Sequence, residues 1–235
     1  MEKEKVFNSY SRSFPAAYTV LMKNVYLWMT LALVVTGLTA MYVAGMPGLF
    51  ESLISNRMLF FGLIIAELAV VFFLSARIMR MSFATAGLMF AAYSILNGIT
   101  MSFIFAVYTQ ESIASTFFIT AGTFGAMSLV GYVTKKDLTS LGSFFIMALV
   151  GLIIASIVNI FIESTLLYWI VTYAGVLIFV GLTAYDTQKI KKMLMTYGDE
   201  VNDNTQKLAL LGSLTLYLDF INLFIYLLRI FGNRK

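Results

Sequence analysis

The chain has 235 residues, 60% of them hydrophobic and only 12% charged, with a net charge of +4, whereas a soluble domain runs at roughly 45–50% apolar and about 25% charged. Too little polar surface is left to coat a globule in water, which excludes the soluble-enzyme classes and leaves an all-α integral membrane protein. Histidine and cysteine are both absent, and with them go disulfides, zinc sites, Cys or His nucleophiles, iron–sulfur clusters and histidine-ligated haem.

A helix needs roughly 20 mostly apolar residues to cross the hydrocarbon layer. Seven stretches qualify: Tyr26–Met46, Met58–Ala76, Phe83–Tyr108, Ile113–Val133, Leu141–Ile162, Leu166–Tyr185 and Leu208–Phe231. They are too long and too uniformly apolar for barrel strands, which alternate over about 10 residues. The chain therefore divides into an N-terminal cytoplasmic arm, residues 1–25, and a seven-helix membrane domain, residues 26–235. The arm is polar and does not read as a cleavable signal peptide. Spans three and four, and five and six, are joined by links short enough to make antiparallel hairpins.

Basic residues set the orientation. Lys3, Lys5, Arg12, Lys23, Arg77, Arg80, Lys135, Lys136, Lys189, Lys191, Lys192 and Lys207 all fall on one face, against a single Arg57 in the loops of the other. The N-terminus is expected in the cytoplasm. Arg229, Arg234 and Lys235 then lie on the far side, against the rule. This loop bias accounts for the net positive charge, and the short loops offer no surface for nucleic acid.

An ionisable group deep in the bilayer costs upward of about 2.5 kcal/mol, so it faces the bundle interior and has a partner. Three acids qualify: Glu67 in span two, Asp186 at the inner end of span six and Asp219 midway along span seven. Counted from the polar turn Tyr197–Gln206, Asp186 and Asp219 lie within roughly 3 Å of the same depth. Two neighbouring carboxylates share a proton rather than both ionise. Protonated, the pair is closed by a hydrogen bond. Fully ionised, it repels itself and invites a hard cation such as Ca²⁺ in passing. The alternatives are a helix-capping Asp186 paired with Lys189, and an Asp219 bonded to a Thr or Tyr of a neighbour. Glu67 is either a third ligand in the same cavity or a protonated acid donating one interhelical hydrogen bond. Arg77 and Arg80 anchor the end of span two, with a latch over the acidic pair as the other role open to Arg77.

Other features read as packing. Gly87, Gly98, Gly122, Gly125, Gly131, Gly175 and Gly181 allow close helix approach, and Asn97 and Asn159 are expected to hydrogen-bond across helices. Tyr26, Trp28, Tyr42, Tyr108, Tyr168 and Trp169 sit near span ends, as interfacial aromatics do.

Gly181-Leu-Thr-Ala-Tyr185-Asp186-Thr-Gln188-Lys-Ile190, followed by Leu216-Tyr217-Leu218-Asp219-Phe220-Ile221-Asn222-Leu223-Phe224 and Leu227-Leu228-Arg229, resembles the signature of the transmembrane Bax inhibitor motif family. Met22–Trp28, the acid in span two, Asn97-Gly98-Ile99-Thr100 and Lys135-Lys136-Asp137-Leu138 extend the match over nearly the whole chain. The resemblance implies six helices around a central seventh and a pH-sensitive calcium leak gated by an aspartate pair, here Asp186 and Asp219. It also implies a supporting acid on helix two, here Glu67, and a helix-two arginine latch for which Arg77 is the candidate. Eukaryotic relatives suppress cell death, and some bacterial ones bind a membrane-anchored protease. The short loops suggest a prokaryotic-type member in the bacterial plasma (inner) membrane.

The sequence thus points to a cation leak with Ca²⁺ as the transported ion, with protons and lipid as its other partners and no cofactor. A non-transporting modulator of a membrane protease is the alternative. An intramembrane aspartyl protease fits poorly: Tyr185-Asp186 matches half of that pattern, but Tyr217-Leu218-Asp219 stands where Gly-x-Gly-Asp belongs, and both prolines precede residue 50. A retinal photoreceptor would need a buried lysine within the last helix, where Lys207 lies only at the edge.

Overall fold

Hydrocarbon offers the backbone no hydrogen-bond partners, so each apolar run must satisfy its own N–H and C=O groups, and a helix does so within one segment. The computed structural model describes residues 2–235, with side chains from Ala17 onward except Ile54, Arg57 and Phe60. The basic side chains expected at Lys3, Lys5 and Arg12, and that of Arg57, therefore lie outside the described residues. All seven expected spans are helices long and apolar enough to cross a membrane.

In chain order the helices are α1 (Glu2–Ala44), α2 (Pro47–Ser55), α3 (Arg57–Arg77), a 3₁₀ turn (Ile78–Arg80), α4 (Phe83–Met101), α5 (Ile104–Val107), α6 (Gln110–Val133), α7 (Thr139–Ile162), α8 (Thr165–Tyr197) and α9 (Asp203–Phe231). Their boundaries follow local chemistry. Pro47 opens α2, a helix inside what the sequence suggested was only a loop, because its missing N–H is one the first turn does not use. Asn56, Ser82 and Thr109 cap α3, α4 and α6 by accepting the N–H of Leu59, Thr85 and Ser112. Helix α7 ends on Glu163 in a left-handed conformation, φ 52°.

Helix α1 runs unbroken through the boundary expected at Tyr26. Its buried residues, Met22 apart, are Ala17, Leu21, Val25, Met29, Ala32, Thr36, Ala40 and Val43, recurring every three or four positions, the spacing of one helix face. The apolar window of α9 is 67% buried, against 6–39% for the other spans.

The chain forms two compact units, and α8 and α9 each contribute to both: Met1–Val107 with Ile190–Tyr217, and Tyr108–Lys189 with Leu218–Lys235. In the first, α1 packs along α4 so closely that a Cβ on Gly98 would stand 2.6 Å from Thr39 Cβ and 2.7 Å from the Thr36 carbonyl oxygen. Lys207, buried at the start of α9, lies 2.9 Å from Asp203 Oδ2 and donates to the Met81 carbonyl, while Asp203 accepts the Phe83 N–H. This basic residue, expected as an edge charge, thus fastens α9 to the α3–α4 turn.

In the second unit, Phe220 of α9 packs against Phe117 and Phe124 of α6, with ring centroids 5.4 Å apart in each case. Gly175 and Gly181 receive the rings of Tyr226 and Phe145, the close approach expected of them. Gly122 and Gly125 behave otherwise: a Cβ on either would meet nothing within 4 Å, because both lie on a face of α6 that no helix covers. Asn159 also departs from expectation, since its side chain accepts the N–H of Ser164 in the adjoining turn.

Candidate functional site

The acidic pair is built on the last turns of the apolar part of α8. Three consecutive polar residues there turn to different neighbours. Thr187 shares a hydrogen bond with Ser128 of α6 at 3.0 Å. Gln188 donates to the Lys136 carbonyl at 2.8 Å and accepts the Leu138 N–H at 2.9 Å, which pins the turn between α6 and α7. Asp186, the remaining member, is hydrogen-bonded to the side chain of Asp219.

Close packing holds that turn of α8 in place. Gly131 of α6 lies against the backbone of Ala184, and Gly142 of α7 lies against the ring of Tyr185. On α9 the Phe220 contacts with α6 set the rotation of the helix and so the direction of its neighbour Asp219. Both acids are buried, at 8% and 5% exposure. Two carboxyl groups hydrogen-bond to each other only if one carries a proton for the other to accept. Asp219 Oδ2 is buried and has no hydrogen-bond partner among the described residues, an uncommon state for a buried oxygen. Lys189 acts electrostatically on both acids, while its Nζ lies 5.8 Å over the Tyr185 ring. Asp186 thus bonds the partner aspartate and lies in the field of Lys189, but it caps no helix end, because α8 continues past it to Tyr197.

Glu67 belongs to the first unit and has its own partners. Asn97 donates to it at 3.3 Å and Thr100 donates to its other oxygen. The expectation of an acid donating one bond is reversed: Glu67 accepts two, both from α4. The network continues beyond it. Tyr217 donates to Asn97 Oδ1 at 3.0 Å and shares a 2.7 Å hydrogen bond with Thr36, and its ring meets Phe90 and Tyr93 edge-on. Sequence reasoning missed Tyr217, although its place two residues before Asp219, between Leu216 and Leu218 in a membrane span, signalled a buried hydroxyl. Replacing Tyr217 by Phe takes from Asn97 Oδ1 its donor and leaves Thr36 with only its bond to the Ser94 carbonyl, at a cost of about 1–2 kcal/mol. The expected outcome is a lower unfolding temperature in detergent with unchanged helix content by circular dichroism, and an unchanged melting point would refute it.

Arg77 is exposed, with its guanidinium 5.9 Å over the ring of Phe73 on its own helix. Among the described residues no three acidic side chains form a metal-sized cluster.

Residues 19–235 match the family described as "Inhibitor of apoptosis-promoting Bax1". The chain belongs to the Bax inhibitor family. It is 53% identical over 214 residues to the inner membrane protein YbhL of Escherichia coli K12, covering 91% of this chain and 92% of that one. An uncharacterized protein of Rickettsia prowazekii is 44% identical, over 97% of this chain and 95% of its own. An uncharacterized membrane protein of Streptococcus pyogenes is 41% identical over 79% of each. The chain is thus an integral membrane protein of the Bax inhibitor family, and its aspartate pair lies in the stretch where the sequence carries that signature.

Proposed function

We propose that this Bax inhibitor family member is a pH-sensitive cation leak, with Ca²⁺ as the ion, gated by the proton shared between Asp186 and Asp219. The observation that carries the reading is the hydrogen bond joining two buried carboxyl groups, with one oxygen of Asp219 left unpartnered. Such a bond survives only while a proton sits between the groups. Removing that proton leaves two like charges side by side in the field of Lys189, and the closed arrangement loses its link.

The ionised pair then presents oxygen ligands to a hard cation. Ca²⁺ takes six to eight oxygens, more than two carboxylates supply, so water completes its shell and the ion is held weakly enough to pass. Glu67, held by Asn97 and Thr100, supports the passage of cations in the first unit, and Arg77 serves as an anchor. The reading makes the chain a transporter rather than an enzyme. The name of the Escherichia coli relative and the bias of basic residues favour the bacterial inner membrane with the N-terminus in the cytoplasm.

Purified protein in lipid vesicles loaded with a calcium indicator tests this. Ca²⁺ entry is expected to rise as the pH is raised from mildly acidic to mildly alkaline, and to exceed Na⁺ and K⁺ entry under the same gradient. Flux no greater than in empty vesicles, or flux indifferent to pH, would overturn the reading.

A further inference from the structure

Roughly 30 Å along α8 from Asp186, at a rise of about 1.5 Å per residue, the far end of the second unit holds a cavity of about 510 Å³. It lies where α7 hands over to α8 and α9 ends. Its walls include Arg229, Arg234, Tyr168, Trp169, Ser164 and Glu163. Two of these are the cations that break the charge bias of the sequence. They do not sit there unengaged. The Arg229 guanidinium lies 5.7 Å over the ring of Tyr168 and 5.0 Å over that of Tyr226, and Arg234 donates to the Tyr168 hydroxyl at 3.2 Å. Tyr168 thus gathers both arginines into one place, and Arg229 is half-buried there.

Two guanidiniums face one carboxylate, that of Glu163, which is exposed, so the cavity is net positive. A guanidinium held over an aromatic ring keeps its in-plane N–H donors, the edge that pairs with phosphate oxygens. The depth matches a headgroup: Trp169 and Tyr168 stand at the end of the span, where interfacial aromatics lie. Around the cavity, Phe161, Ile162, Leu166 and Ile170 turn large exposed apolar side chains outward, Phe161 at 82% and Leu166 at 73%. That surface suits acyl chains. We infer that the cavity is a binding site for the phosphodiester headgroup of an anionic membrane lipid, held by Arg229 and Arg234 against Tyr168 and Trp169.

The chain has two tryptophans, and the other, Trp28, packs against Phe83 in the first unit. Trp28→Phe therefore leaves Trp169 as a reporter inside the proposed site. The full-length variant is placed in vesicles of phosphatidylcholine and phosphatidylglycerol at one fixed ratio, with bromine carried by one lipid or by the other. Basic residues near the membrane surface each enrich anionic lipid roughly five-fold, so quenching by brominated phosphatidylglycerol is expected to exceed its mole-fraction share severalfold. Adding Arg229→Gln and Arg234→Gln is expected to return quenching to that share. Quenching by brominated phosphatidylcholine that persists or rises in the same variant shows that it remains inserted.

Quenching in proportion to mole fraction in the Trp28→Phe protein itself would overturn the inference without recourse to the arginine variant. Enrichment that persists in the arginine variant would also overturn it. So would loss of the enrichment on adding millimolar inorganic phosphate, which would identify a site for soluble anions instead.

Discussion

Asp219→Asn is expected to hold the Ca²⁺ leak at its acid-pH level however far the pH is raised. The asparagine amide carries two permanent donors. It presents to Asp186 the N–H that stands in for the shared proton, and no base at accessible pH removes it. The variant therefore keeps the closing hydrogen bond and loses the means of breaking it. A hydrogen bond to a charged group contributes about 1.5–3 kcal/mol, which is roughly a ten- to hundredfold change in the ratio of closed to open protein.

The sign is fixed by the proton. In the parent the bond is present while one proton is bound and is lost as the pH rises, so flux climbs with pH. In Asp219→Asn the bond is present throughout, so the curve is flat and low. Asp219→Ala separates gating from mere damage. It removes donor and acceptor together and leaves Asp186 facing Lys189 alone, so its curve is expected to be flat and high. Vesicle flux measured over the same pH series for parent, Asn and Ala variants checks the argument. A parent-like rise in the Asn variant would mean that the proton read by the leak resides elsewhere.

The spans were legible because hydrocarbon thickness sets a minimum length that few soluble helices reach, and the acids because a charge in oil is costly enough to demand a reason. What surrounds those acids was less legible. Asn97 reads in sequence as a generic interhelical donor, and only the fold shows that it passes between Glu67 and Tyr217. Gln188 is in sequence only one residue of the family signature, yet in the fold it fixes the α6–α7 turn beside the pair. Lys207 was counted as a loop charge because hydropathy does not say that Asp203, four residues back on the same helix face, stands ready to pair with it. Glycines show the limit most clearly. A helix presents every residue to some direction, and composition alone does not tell Gly122, which faces open space, from Gly131, which faces a backbone.

That difference predicts opposite results for the same substitution nine residues apart on one helix. A Cβ at Gly131 runs into the carbonyl oxygen of Ala184 and stands 2.8 Å and 2.9 Å from its carbonyl carbon and Cα. These are backbone atoms of a buried residue, so no rotamer change relieves the overlap and α6 and α8 must part. Overpacking of this kind costs about 1–3 kcal/mol or more. The displacement falls two residues before Asp186 and one helical turn from the Ser128–Thr187 bond, so it also pulls the aspartate pair out of register. Gly131→Ala is expected to lower the melting temperature in detergent and to blunt the pH response of the leak. Gly122→Ala meets nothing and exchanges a weak helix former for a strong one, a gain of up to about 1 kcal/mol. It is expected to melt at or above the parent temperature with an unaltered pH curve. If both variants melt together with the parent, α6 and α8 do not touch at Gly131, and the rigid seat proposed for Asp186 falls with that contact.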